Sequence, residues 1–83
     1  MKTKILKGFF HVNMSDEFKI IKANSMSEAI FKFVGKTKQK YLTKISETNE
    51  YTTFHLNIPH SECSDFFIPV DEIITARLFT YYD

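Results

Sequence analysis

One stretch of the sequence decides the fold: SMSEAIFKFVG, residues 25–35. Ser25 and Glu28 have the spacing of a capping box, in which a hydroxyl caps the first helical turn and a carboxylate follows three residues later. Apolar side chains then recur at helical spacing, at Met26, Ala29, Ile30, Phe33 and Val34. Gly35 stands where a left-handed C-cap is expected. The pattern predicts an amphipathic helix over 26–35, which is short enough to need another element to pack against.

The segments before and after this helix are typical of β-strands. Apolar and polar side chains alternate in residues 51–58 and 73–82, and the other segments are rich in large apolar residues. Turn-forming stretches at 13–16 and 47–50 join neighbouring segments into two hairpins. The predicted strands are residues 3–12, 17–23, 40–46, 51–58 and 73–82, with a short edge strand at 66–69 and one tight turn at 70–73.

The resulting order is β-β-α-β-β-β. We therefore expect a single α+β domain over 1–83, a mainly antiparallel sheet of four to five strands with one helix packed on one face. No second helix is present to cover the other face, and exposed aromatic side chains on such a face often mark a contact surface. The aromatic candidates for that face are Tyr41, Tyr51, His55, Phe79 and Tyr81.

Composition excludes several classes of protein. Eighty-three residues, of which 43% are hydrophobic and 25% charged, suit one small globular domain. A single cysteine excludes a disulfide framework within the chain and favours a reducing compartment. No apolar run is long enough for a membrane span, and the first residues lack the core of a signal peptide. The sequence predicts a soluble cytoplasmic protein, located in the host cytoplasm if a phage encodes it.

The residues that could carry chemistry do not form a recognisable catalytic or metal-binding motif. His60 and Cys63 have a spacing used by zinc ligands, with His55 and Asp65 near them, but a second close pair of ligands is missing. Two glycines are too few for a phosphate-binding loop. We expect no catalytic residues, no metal and no cofactor, and therefore no enzyme.

Charge is distributed unevenly along the chain. Residues 1–44 hold ten lysines against three acidic residues, a net charge of +7. Residues 45–83 hold one arginine against seven acidic residues, a net charge of −6. Unless the fold interleaves the two halves, this asymmetry indicates a charged partner or head-to-tail association of copies.

The lysines concentrate after the predicted helix and on the first hairpin. A basic stripe of this kind neutralises phosphates, and an interleaved tyrosine can stack on the bases of a single strand. The candidate partner-binding residues are Lys22, Lys36, Lys38, Lys40, Tyr41 and Lys44.

Two other surfaces remain open as alternatives. An acidic face could imitate a phosphate backbone and occupy a basic groove on a nucleic-acid-binding protein. Its candidate residues are Glu47, Glu50, Glu62 and Asp65. The two free edges of an open sheet could instead pair copies of the chain into a homodimer or a larger assembly.

The junction IKANSMSEA, residues 21–29, follows the pattern Ile-x-Ala-x-Ser-x-x-Glu/Gln-Ala and resembles a strand-to-helix junction of small phage-encoded proteins. One group that it resembles is a family of compact anti-CRISPR proteins of β-β-α-β-β-β order. The resemblance implies a basic surface that contacts a crRNA-guided surveillance complex, a host ribonucleoprotein, and blocks its binding to DNA. By their position after the helix, Lys36, Lys38 and Lys40 would be the contacts. The acidic second half of this chain departs from the family.

The function favoured by these observations is a non-enzymatic phage or mobile-element protein that binds a host defence protein or nucleoprotein and inhibits it sterically. One alternative is a small accessory protein that binds nucleic acid through the lysine-rich first half. Another is a self-associating virion or assembly component.

Overall fold

The structure is a computed structural model that describes residues 3–59 and 70–82. It confirms the α+β class and the order β-β-α-β-β-β. A 3-10 helix at Lys36–Tyr41 follows the α-helix. The other elements are β1 (Thr3–Met14), β2 (Glu17–Lys22), α1 (Met26–Val34), β3 (Leu42–Glu47), β4 (Tyr51–Ile58) and β5 (Val70–Tyr82).

The five strands form one antiparallel sheet in the order β2-β1-β5-β4-β3. Both predicted hairpins form, since β1 pairs with β2 and β3 pairs with β4. The last strand of the chain, β5, lies between these hairpins and joins them through pairs with β1 and β4. The sheet therefore has β2 and β3 as its edges and β5 at its centre.

Helix α1 covers one face of the sheet and closes the core. Ala29 and Ile30 are fully buried, and the ring of Phe31 packs edge-on against Phe54 with centroids 5.7 Å apart. The rest of the predicted apolar stripe is partly buried against the same core. The sheet contributes Phe10, Val12, Phe54, Leu56, Ile58, Ile74 and Ala76. Among the described residues, no helix is both long and apolar enough to cross a membrane.

At the start of α1 the Ser25 half of the predicted capping box forms, whereas the Glu28 carboxylate accepts a hydrogen bond from Asn24 Nδ2 at 3.4 Å. The cap at the end of the helix also differs from the prediction. Ser25 Oγ accepts a hydrogen bond from the backbone N–H of Glu28 at 3.1 Å, as expected of an N-cap. The helix ends at Val34, and Gly35 has φ 86° and ψ 164°. This ψ lies far from the left-handed helical region, so the predicted left-handed C-cap is wrong. The chain instead extends for one residue and then enters the 3-10 helix.

Two other local predictions are wrong. The tight turn predicted at 70–73 is the beginning of β5, because Val70 pairs with Ile58 and the ladder of β4 continues over its whole length. The 3-10 helix takes the first two residues of the predicted third strand, which begins at Leu42 instead. The edge strand predicted at 66–69 lies outside the described residues.

The two long strands extend past their neighbours. β2 pairs with β1 over Phe9–Met14, and β4 pairs with β5 over Val70–Arg77. Outside these stretches, the ends of β1 and β5 pair with each other as a two-stranded ribbon, with a register shift between Ile5 and Phe10. Twelve residues of strand span roughly 40 Å, which agrees with the overall dimensions of 49 × 21 × 18 Å.

Candidate binding surfaces

The fold interleaves the two charged halves of the sequence. Strands β4 and β5, from the acidic half, lie between β1, from the lysine-rich half, and β3, which spans the boundary between the two halves. The strands of the acidic half are therefore not confined to one edge of the sheet. Local clusters of side chains decide what each surface can bind.

A cluster of three lysines lies on the 3-10 helix. Lys36, Lys38 and Lys40 are all exposed. A 3-10 helix has three residues per turn, so positions two and four residues apart point in directions about 120° from one another. The three lysines consequently form a projection that is positive on several sides, which we call the cationic knob, and not a flat stripe.

The cationic knob keeps its charge available. Among the described residues, no carboxylate forms an ion pair with Lys36, Lys38 or Lys40. Lys40 Nζ lies 5.2 Å from the ring centroid of Tyr41. That ring is half-buried and packs against the hydrophobic core, so its expected position on the uncovered sheet face is wrong. Lys40 therefore makes a cation–π contact with Tyr41 within the knob.

The other two predicted basic residues have different surroundings. Lys44 Nζ lies 3.1 Å from Glu47 Oε1 and 5.7 Å from the ring centroid of Phe54, so its charge is shared within the protein. Lys22 lies at the end of β2, which is at the opposite edge of the sheet from β3. The structure thus brings the 36–44 lysines together and places Lys22 apart from them.

The acidic alternative has few described residues. Glu47 is paired with Lys44, and Glu50 is exposed in the turn between β3 and β4. Glu62 and Asp65 lie outside the described residues. In the part of the chain that the structure describes, Glu50 is the member of this predicted face that remains available for a basic partner.

The sheet edges carry features that disfavour pairing with another sheet. Lys19 is exposed in the middle of β2, and β3 contains an irregularity between Lys44 and Ser46. Edge lysines and bulges are devices by which natural sheets avoid association. They weaken the alternative of a homodimer assembled through strand edges.

The predicted metal-ligand candidates are only partly described. His55 Nε2 forms a short contact with Asp71 Oδ1, diagonally across β4 and β5. His60, Cys63 and Asp65 lie outside the described residues. Over residues 3–59 and 70–82, no three side chains of the kinds that bind metals come together.

The sheet face opposite α1, here called the open face, carries a second cluster. The register places Ile20 opposite His11, His11 opposite Arg77, and Arg77 opposite Tyr51. These four side chains form a row across four strands on this face. Of the predicted aromatic residues, Tyr51 and Tyr81 are exposed, whereas His55 and Phe79 are half-buried.

A groove of about 400 Å³ opens beside this row. It is lined by His11, Phe18, Ile20, Arg77, Leu78, Phe79 and Thr80. The rings of His11 and Phe18 meet edge to face, with centroids 4.9 Å apart and planes at 80°. No acidic residue is among these lining residues. No motif in the sequence marks Phe18, His11 and Arg77 as a site, although the alternation of side chains along β2 separates Phe18 and Ile20 from the helix-facing Ile21.

Comparison with known proteins identifies no relative, since no family model, no curated protein and no solved structure matches this chain.

Proposed function

We propose that this chain is a non-enzymatic binding protein, encoded by a phage or mobile element, that blocks a host nucleoprotein sterically through its cationic knob. The observation that carries the proposal is the availability of Lys36, Lys38 and Lys40. All three are exposed, and no described carboxylate pairs with them. Exposed lysines bind phosphates and displace the counterions that surround nucleic acid.

The chemistry of the knob favours phosphate contacts over base recognition. Lysine presents a compact point charge, whereas the forked contacts that read guanine are made best by arginine. Phosphate contacts position a protein without reading sequence. A protein that binds in this way can occupy a nucleoprotein whatever sequence that nucleoprotein carries, as an inhibitor requires.

The shape of the knob favours a concave partner. Lysines that point in three directions cannot all face one flat surface, but they can all meet phosphates inside a cleft. The resemblance of residues 21–29 to the anti-CRISPR junction suggests a crRNA-guided surveillance complex as the class of target. Its channel for nucleic acid would be closed to DNA while the knob occupied it.

The test is inhibition of DNA binding by a purified crRNA-loaded surveillance complex, measured by fluorescence anisotropy of the labelled target duplex. The wild-type chain and two double variants, K36E/K38E and K7E/K19E, are compared. Both variants change the net charge equally, but Lys7 and Lys19 lie on the first hairpin. We expect inhibition by the wild type and by K7E/K19E, and its loss in K36E/K38E.

A salt series separates this function from its alternative. An accessory protein that binds nucleic acid through the knob would bind the free duplex, and K36E/K38E would lower its salt slope by about two. Inhibition that persists in K36E/K38E would show that another surface makes the contact. A wild-type chain that neither inhibits the complex nor binds free duplex at low salt would contradict the proposed function.

A further inference from the structure

The groove on the open face combines aromatic rings with positive charge. Phe18 is 62% exposed and Ile20 is 48% exposed, both on the edge strand β2. Phe79, near the end of β5, also lines the groove. Large apolar side chains that are exposed next to one another often mark a binding surface.

The ring geometry at Phe18 suits stacking. His11 meets Phe18 edge to face at 4.9 Å, so the partner ring does not lie flat on it. A planar ligand can therefore lie against an exposed ring face. Aromatic residues on an uncovered sheet face are the usual platform for the bases of a single strand, and such sheets stack two or three bases.

The charge around the groove suits an anion. Arg77 is exposed and lies directly across from both His11 and Tyr51 in the register. The side chains that line the groove include this guanidinium and no carboxylate. Lys22, opposite Phe9 on the same face of β2, adds a second cation beside the groove. Rings and cations without acids complement a chain of bases and phosphates.

We propose that this groove binds single-stranded nucleic acid, with bases stacked on Phe18 and Phe79 and a phosphate paired with Arg77. The row of side chains from His11 through Arg77 to Tyr51 would extend the path of the bound strand across the sheet. A duplex keeps its bases stacked on one another and cannot offer them to these rings, so the site selects single strands. The groove shares no residue with the cationic knob, and the two sites succeed or fail separately.

Glu50, which lines a groove beside Arg77, predicts a variant that improves binding. A second groove, of about 540 Å³, lies on the other side of Arg77 and is lined by Glu50 and Tyr51 among others. The carboxylate of Glu50 repels an approaching phosphate. Glu50→Gln removes that charge, and we expect it to tighten single-strand binding about two- to threefold at low salt.

The test is a titration of labelled oligo(dT), oligo(U) and a duplex of equal length, followed by fluorescence anisotropy. Phe18→Ala is expected to weaken single-strand binding about tenfold to a hundredfold, as loss of one stacked base does. Arg77→Gln is expected to weaken it and to lower the salt slope by about one. Phe18→Trp keeps a ring and should retain binding, and comparison of oligo(dT) with oligo(U) distinguishes DNA from RNA.

Matched controls connect the result to the groove. Ile73 is 50% exposed on the same face but lies outside the groove, so Ile73→Ala should bind within about twofold of the wild type. K36E/K38E should keep the stacking contribution, which separates this site from the proposed function. Binding of the single strand to the wild-type chain should shift the amide resonances of β1, β2 and β5 around the groove. This measurement needs no variant.

Several outcomes would overturn the proposal. They are Phe18→Ala and Arg77→Gln variants that bind as tightly as the wild type, a duplex that binds as tightly as the single strands, or shifts confined to the 3-10 helix. Absence of binding at low salt would also overturn it. If sedimentation then showed a wild-type dimer that Phe18→Ala dissociates, a second copy would be the occupant of this face.

Discussion

At the scale of single residues, backbone conformation at Gly35 determines how the chain leaves α1. Its φ of 86° and ψ of 164° fall in a region that only glycine adopts readily. A Cβ built there meets no atom within 4 Å, so side-chain crowding does not require the glycine. The requirement is entirely one of backbone strain.

This conformation predicts an unusual pair of substitutions. Gly35→Ala should lower the free energy of unfolding by about 1–3 kcal/mol, measured by urea denaturation. Gly35→Asn should cost nearly as much, because asparagine tolerates the left-handed helical region but not an extended ψ at positive φ. An asparagine variant as stable as the wild type would contradict this conformation and favour the left-handed C-cap that the sequence pattern predicts.

Exposure is the other residue-scale property that the sequence predicts poorly. Phe18 and Ile20 lie in a predicted strand, where either face could have been buried. Tyr41 lies in a segment that was predicted as strand and folded as a 3-10 helix, which turned its ring to the core. In each case burial depends on what packs against the segment, and this is not a local property.

At the scale of elements, α1 is the part of the structure that the sequence predicts best. Its cap depends on a contact between residues three positions apart, and its apolar stripe depends on spacing within ten residues. Both are local. The carboxylate of Glu28 contacts Asn24 Nδ2 at 3.4 Å and Lys32 Nζ at 3.5 Å, which adds weak exposed interactions to the same turn.

The cap predicts a graded set of stabilities. Ser25→Ala should cost about 1 kcal/mol of unfolding free energy, because the N–H of Glu28 loses its acceptor. Ser25→Asn should remain near the wild type, since asparagine caps equally well. Glu28→Ala is the control: it removes exposed ion-pair contacts and should cost only a few tenths of a kcal/mol. Chemical denaturation of the three variants checks the order, and an unaffected Ser25→Ala would contradict the cap.

The sequence does not predict the 3-10 helix, and this too has a physical reason. Its residues, KTKQKY, have neither the apolar period of a helix nor the alternation of a strand. Its path is set by the need to carry the chain from the end of α1 to the start of β3 at the far edge of the sheet. That distance exists only once the sheet has formed.

At the scale of the whole molecule, β5 joins two hairpins that are otherwise separate. It pairs with β1 from the start of the chain and with β4 on its other side, and it contributes the fully buried Ile74 and Ala76. Pairs between the two ends of a chain form late, because closing a long loop costs entropy before the contacts form.

This arrangement predicts the effect of two truncations. A chain ending at Pro59 lacks the central strand and should be unfolded, with loss of strand signal in circular dichroism and collapse of amide dispersion. A chain ending at Leu78 loses part of the ribbon but keeps the part of β5 that pairs with β4, so it should remain folded. A dispersed amide spectrum from the shorter chain would contradict the central role of β5.

The sequence by itself determined the helix, its cap, the two hairpins and the α+β class, because each depends on side-chain period or turn chemistry within a few residues. Only the tertiary structure decided the strand order, the interleaving of acidic and basic segments, and the aromatic groove on the open face. These features need pairs between β1 and β5, residues about sixty or more positions apart. No local pattern encodes which strands become neighbours, and strand neighbours determine which side chains share a surface.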